Sequence, residues 1–155
     1  AAAETIQVEL TGYEEVPALS SPAGGAVRLK IDARAGTIYY EVSYTGLMGN
    51  VTQAHIHFGQ EGVNGGISAW LCGTAANPGP PGTPGCSGTT EGGATGMLMA
   101  ANVVGPAAQQ ITAGEFDELL RAIGAGVTYA NVHSTVAPGG EIRGQIGKGK
   151  GVHKH

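Results

Sequence analysis

The chain has 155 residues, 28 of them glycine, with a charged fraction of 13% and a formal net charge of −4. That length suits one hydrophobic core, and the low net charge is unlike that of a disordered chain. No basic stripe or interleaved aromatic platform is present, which argues against a nucleic-acid partner, and no apolar run reaches the 18 residues of a helical membrane span.

The small residues of the opening Ala1-Ala2-Ala3-Glu4 fit either the end expected after cleavage of an export signal or an ordinary frayed terminus. Period-two alternation then dominates. Ile6, Val8 and Leu10 alternate with Thr5, Gln7 and Glu9. Val27, Leu29 and Ile31 alternate with Arg28, Lys30 and Asp32. Ile38, Tyr40, Val42 and Tyr44 alternate with Thr37, Tyr39, Glu41 and Ser43. Each run reads as a half-buried antiparallel strand. The tight connection Ala33 to Gly36 makes a hairpin of strands 26–32 and 37–45. Further strands are expected at 52–58, 67–72, 95–101, 127–133 and 140–146. The glycines of 59–66 are turn material and not a dinucleotide fingerprint, since no helix follows them.

Cys72 and Cys86 enclose 13 residues, eight of them Gly or Pro, which exclude a helix or a central strand between them. A disulfide there closes an otherwise loose loop, an effect of about 3 kcal/mol in the chain-entropy account, and places the protein in the periplasm or outside the cell. Two free thiols are the plain alternative. Thr112 and Glu115 form a capping box, and Phe116, Leu119, Leu120 and Ile123 make one apolar stripe. One short helix is therefore expected, stopped at Gly124 or Gly126. Pro138-Gly139-Gly140 is a turn. Residues 1–146 read as one all-β antiparallel sandwich or barrel with that helix. Residues 147–155, with Lys148, Lys150, His153, Lys154 and His155, read as a flexible solvated tail.

The chemistry sits in Ala54-His55-Ile56-His57-Phe58-Gly59 and in Val132-His133-Ser134. Alternate side chains of a strand leave the same face, so His55 and His57 point together. Three imidazoles from two strands suit copper, or less well zinc, over harder cations. Histidines solvated on a polar face are the plain alternative. Met97 and Met99 alternate on one strand face; they read either as core filling or as a soft fourth ligand for Cu(I). Neither cysteine lies in a histidine-bearing strand, which disfavours a blue-copper site. Asn131 either orients a ligand or caps a turn. Glu141, Arg143 and Gln145 share one strand face, read as a solvent face with an ordinary ion pair. Ser134 leaves the face opposite His133 and no Gly-x-Ser-x-Gly elbow occurs, so no catalytic triad is expected.

Thr11-Gly12-Tyr13-Glu14-Glu15-Val16-Pro17, the two histidine segments, and Gly139-Gly140-Glu141-Ile142-Arg143-Gly144-Gln145 resemble, in this order, the CHRD (chordin) domain family. The resemblance covers about residues 5–146. It implies a secreted protein with an immunoglobulin-like Greek-key β-barrel of the kind found in copper-zinc superoxide dismutase. More distantly, the chain is similar to that dismutase family itself. There a His-x-His strand and a later Val-His strand hold copper, which implies His55, His57 and His133 as ligands and Arg143 as an anion guide. The family's zinc loop carries several His and an Asp, whereas residues 59–95 have neither. Zinc and a bridging histidine are thus unsupported. Three functions are expected to compete. They are an exported protein with a mononuclear three-histidine copper site for copper handling or electron transfer, a copper-only dismutase-like enzyme, and a metal-free extracellular binding or structural module.

Overall fold

Alternation in the sequence becomes alternation in burial along the first strands. In the computed structural model, which describes residues 4–147, β1 (Glu4–Thr11), β2 (Gly24–Asp32) and β3 (Thr37–Thr45) turn Val8, Leu10, Val27, Leu29, Tyr40 and Val42 inward. Their polar partners face out, as period two requires. The hairpin between β2 and β3 closes at Gly36, whose φ of +73° favours glycine. The remaining strands are β4 (Val51–Phe58), β5 (Gly66–Cys72), β6 (Gly92–Leu98), β7 (Thr128–Ser134) and β8 (Ile142–Ile146). His153, His155 and all of the expected tail but Gly147 lie outside the described residues.

The strands form one antiparallel sheet in the order β5-β4-β7-β8-β1-β2-β3-β6. Its two ends approach each other, with β6 against β5, and the Tyr40 hydroxyl donates across the interior to the Leu71 carbonyl (2.8 Å). The result is a near-barrel. β7 returns by a long connection to lie beside β4, so β7-β4-β5-β6 has Greek-key order.

The helix α1 spans Phe116–Gly124 and buries Phe116, Leu119 and Ile123 in the core. Half of the expected capping box is present. The Glu115 carboxylate accepts from the Thr112 amide (2.8 Å), while the Glu115 amide donates to the Thr112 carbonyl rather than to its hydroxyl.

Three expectations shift. β6 ends at Leu98, not 101, because the Asn102 side chain accepts from the Met99 amide (2.8 Å) and starts a 3-10 turn. The core position belongs to Leu98, which leaves Met97 and Met99 on either side of it about half exposed (49% and 50%). They do not fill the core, and β5 stands between β6 and the histidine-bearing strands. Finally, Glu141, Arg143 and Gln145 do not form a solvent face: all three are buried. Chain segments distant in sequence cover that side of the sheet.

Cys72 and Cys86 are joined by a disulfide. Reducing it is expected to lower stability by about 3 kcal/mol, the loop-closure entropy of such a span. Urea unfolding with and without reductant measures this; equal midpoints would show that other contacts hold the 73–85 loop.

Candidate metal centre

β4 and β7 carry the site. Their register places His55 opposite Asn131, His57 opposite Tyr129 and His133 opposite Gln53. Ala54, Ile56, Ala130 and Val132 occupy the alternate positions and fill the barrel interior. The three imidazoles therefore stand on the outside of the barrel wall. They are nonetheless buried, with 1%, 8% and 8% exposure for His55, His57 and His133.

Two kinds of structure form the cover. The 59–65 loop folds back over the sheet and is gripped by Arg143. Its guanidinium donates to Val63 O (2.9 Å), Gln60 O (3.3 Å) and Asn64 Oδ1 (3.2 Å). Gln145 Nε2 donates to Gly59 O (2.9 Å). Asn64 Nδ2 donates to Val16 O (3.0 Å) and so ties this loop to the segment after β1. On the other side, Glu141 fastens the turn before β8. It accepts from Ser134 (2.6 Å), from Ser21 (2.7 Å) and from the Met48 amide (2.8 Å).

The candidate ligand atoms of His55, His57 and His133 all lie within 4.8 Å of one another. Ring centroids are 4.9 Å apart for His55 and His133, 5.4 Å for His55 and His57, and 6.1 Å for His57 and His133. Backbone carbonyls fix two tautomers. His57 donates Nδ1–H to Gly65 O (2.9 Å), and His133 donates Nδ1–H to Pro138 O (2.8 Å). In each ring Nε2 is left with a lone pair. A carbonyl holding the far nitrogen of a histidine is the usual support of a metal ligand. His55 Nδ1 lies 3.2 Å from His133 Nε2. His55 Nε2 and His57 Nε2 are buried with no hydrogen-bond partner, and buried polar atoms of that kind ask for an explanation.

Aromatic contacts hold the rings. Trp70 meets His55 edge-on at 4.3 Å. Tyr129 stacks on His57 at 4.6 Å, the two rings nearly parallel, and Arg143 lies 3.4 Å from the centre of the Tyr129 ring. The Tyr129 hydroxyl accepts from the Gly65 amide (3.0 Å).

Electrostatics keep the imidazoles neutral. Burial, then the neighbouring His133 and His57, pushes His55 down to about 2. Burial pushes His57 down to about 4, against the Gly65 hydrogen bond. Burial lowers His133 as well. Neutral imidazole is the form that binds metal. Nearby, burial raises Glu15 to about 7, with Arg143 and Asn131 opposing. Arg143 is itself lowered by burial, against Tyr129 and the surrounding carboxylates.

The structure thus brings His55, His57 and His133 together. Met97 and Met99 stand apart, half exposed at the end of β6. Arg143, expected as an anion guide, is 1% exposed and committed to the 59–65 loop. Glu15, which sequence reasoning did not single out, is buried beside Asn131 and Arg143. Its one sequence signal is its place in the Thr11–Pro17 motif.

The chain matches the CHRD domain family over residues 6–146. Among curated proteins and solved structures no match is found.

Proposed function

This chain belongs to the CHRD domain family, and from that premise we propose that it is an exported protein holding one copper ion between His55, His57 and His133, for copper handling or electron transfer. The observation that carries this reading is the set of three converging, neutral imidazoles, two of them locked by backbone carbonyls with Nε2 free. A built site of this kind differs from histidines that happen to share a surface.

The donor set favours copper. No carboxylate belongs to the cluster among the described residues, which disfavours magnesium, calcium and manganese. Both cysteines are in the disulfide, so no thiolate is on hand for a blue-copper site. Of the divalent metals that imidazole takes, copper binds tightest. The disulfide supports an oxidising compartment. Bound copper supplies a one-electron couple. The chain's own residues would orient the rings, keep them neutral and limit water at the metal. No observation favours the dismutase reading, because Arg143 faces the 59–65 loop and not solvent.

The test is copper titration of metal-free protein in which His153 and His155 have been replaced, so that the tail offers no imidazole. One equivalent of Cu(II) is expected, with nitrogen couplings in the EPR spectrum and a raised Tm, since a ligand specific to the native state stabilises it. His55→Ala, His57→Ala and His133→Ala should each weaken binding by more than about 100-fold, beyond the usual loss of an outer partner. Tight stoichiometric binding retained by all three variants would sink the proposal. An unchanged Tm with Cu(II) and Cu(I) would point instead to a metal-free module.

A further inference from the structure

We propose that Asn131 is the fourth ligand, its side-chain Oδ1 completing a three-nitrogen, one-oxygen set for Cu(II). This rests on the copper reading above and deepens it.

Asn131 is buried at the centre of the site, opposite His55 on the neighbouring strand. Its Oδ1 lies 3.1 Å from His133 Nε2. That contact cannot be an ordinary hydrogen bond in the neutral ring. His133 has committed its single proton to Pro138 O through Nδ1, so Nε2 presents a lone pair. An amide oxygen presents lone pairs too and has no proton to give.

Turning the amide over would not cure this. The nitrogen of Asn131 lies on the Glu15 side of the residue: a Cβ at Gly140 would stand 2.5 Å from Asn131 Nδ2 and 2.6 Å from Glu15 Oε2. Glu15 Oε2 is buried and makes no hydrogen bond. With Glu15 ionised, the flipped amide would set oxygen against carboxylate, so the nearby carboxyl favours the end of the amide that leaves Oδ1 toward the histidines. Gly140, at φ +126° and without a side chain, leaves room for the two to meet.

Oxygen and nitrogen lone pairs aimed at each other describe a cation site. Two donors on bonds of about 2.0–2.2 Å, at angles near 90–105°, stand about 2.9–3.4 Å apart. The pair Asn131 Oδ1 and His133 Nε2, at 3.1 Å, meets that spacing. A mixed nitrogen and oxygen set suits the tetragonal preference of Cu(II).

The experiment compares wild type with Asn131→Leu, loaded with Cu(II) sulfate. Leucine keeps the volume and removes the donor. The EPR g∥ and A∥ values are expected to move while three nitrogen couplings remain, and competition titration is expected to show affinity lower by at least about 10-fold, a loss that an outer partner alone also gives. Unchanged g∥ and A∥, whatever the affinity, would overturn the assignment. Should the variant not fold, a crystal structure of copper-loaded wild type decides: Oδ1 within about 2.6 Å of copper supports ligation, and any longer distance refutes it. The two proposals fail differently. Wild type that takes up no copper ends the copper reading itself. Wild type that binds copper through three nitrogens, and does not notice the leucine, ends only the role of Asn131.

Discussion

Arg143→Met is expected to cost about 3–5 kcal/mol, the range for breaking a buried charged network from one side. The guanidinium is 1% exposed and donates to two carbonyls and one side-chain oxygen of the 59–65 loop. Methionine fills much of the volume but removes the Arg143 donor from Val63 O and Asn64 Oδ1, leaves Gln60 O only the Val63 amide, and takes the Arg143 charge away from Glu15. The loss also reaches the metal centre. Gly65 O holds His57 Nδ1, and Tyr129, against which Arg143 packs, stacks on His57. Releasing the loop should therefore weaken copper binding as well as stability. Urea unfolding and copper competition on the same preparation measure both. A stability change below about 1 kcal/mol, the scale of an exposed ion pair, would show that Arg143 does not clamp the loop. Arg143→Lys separates charge from geometry, since an ammonium cannot reproduce the planar fork.

Acid is expected to destabilise the metal-free protein from pH 6.5 downward. The sign follows from the imidazoles. In the folded state His55 is held to about 2 and His57 to about 4, with His133 also lowered. In the unfolded chain each titrates near 6.5. Well above pH 6.5 the rings are neutral in both states and their contribution is flat. Below it the unfolded chain takes up protons that the folded protein resists, so stability falls by about 1.4 kcal/mol per pH unit for each of His55 and His57, with His133 acting in the same direction. Glu15 acts the other way. Raised to about 7 from 4.5, it takes up its proton in the folded state first, and its contribution grows as pH falls from 7 to 4.5. Three imidazoles outweigh one carboxyl, and the net loss by pH 4.5 is about 2–5 kcal/mol. Thermal melts between pH 7 and 4.5 test this. A flat or rising Tm would contradict a cluster of neutral buried histidines. With copper bound the slope should be about the same over this range, because the folded rings take up few protons there with or without metal, while Tm stands higher throughout.

Much of the scaffold is readable from local pattern. The first three strands follow from strict alternation, since facing inward or outward every second residue is a property of one strand alone. The Gly- and Pro-rich span between Cys72 and Cys86 forbids regular structure, which leaves a cross-linked loop as a natural outcome. His55 and His57 share a face for the same reason that Ile38 and Tyr40 do. Element ends were less legible. β6 stops at Leu98 because of one side-chain bond from Asn102, a feature that periodicity does not contain.

Periodicity along the chain, two for the strands and 3.6 for the helix, determined the β architecture, the short helix and the pairing of two histidines on one face. These depend on neighbours a few residues apart. Only tertiary structure decided that this face is dry. The cover over β4, β7 and β8 comes from 12–17, 59–65 and the turn before β8, segments separated by up to a hundred residues or more. It turns Glu141, Arg143 and Gln145 from an expected solvent face into the bolts of a roof. Under that roof His133 and Asn131 join the pair from β4, and Glu15 arrives from the far end of the chain. Burial then sets the chemistry, because an imidazole out of water stays neutral and keeps its lone pair for a cation.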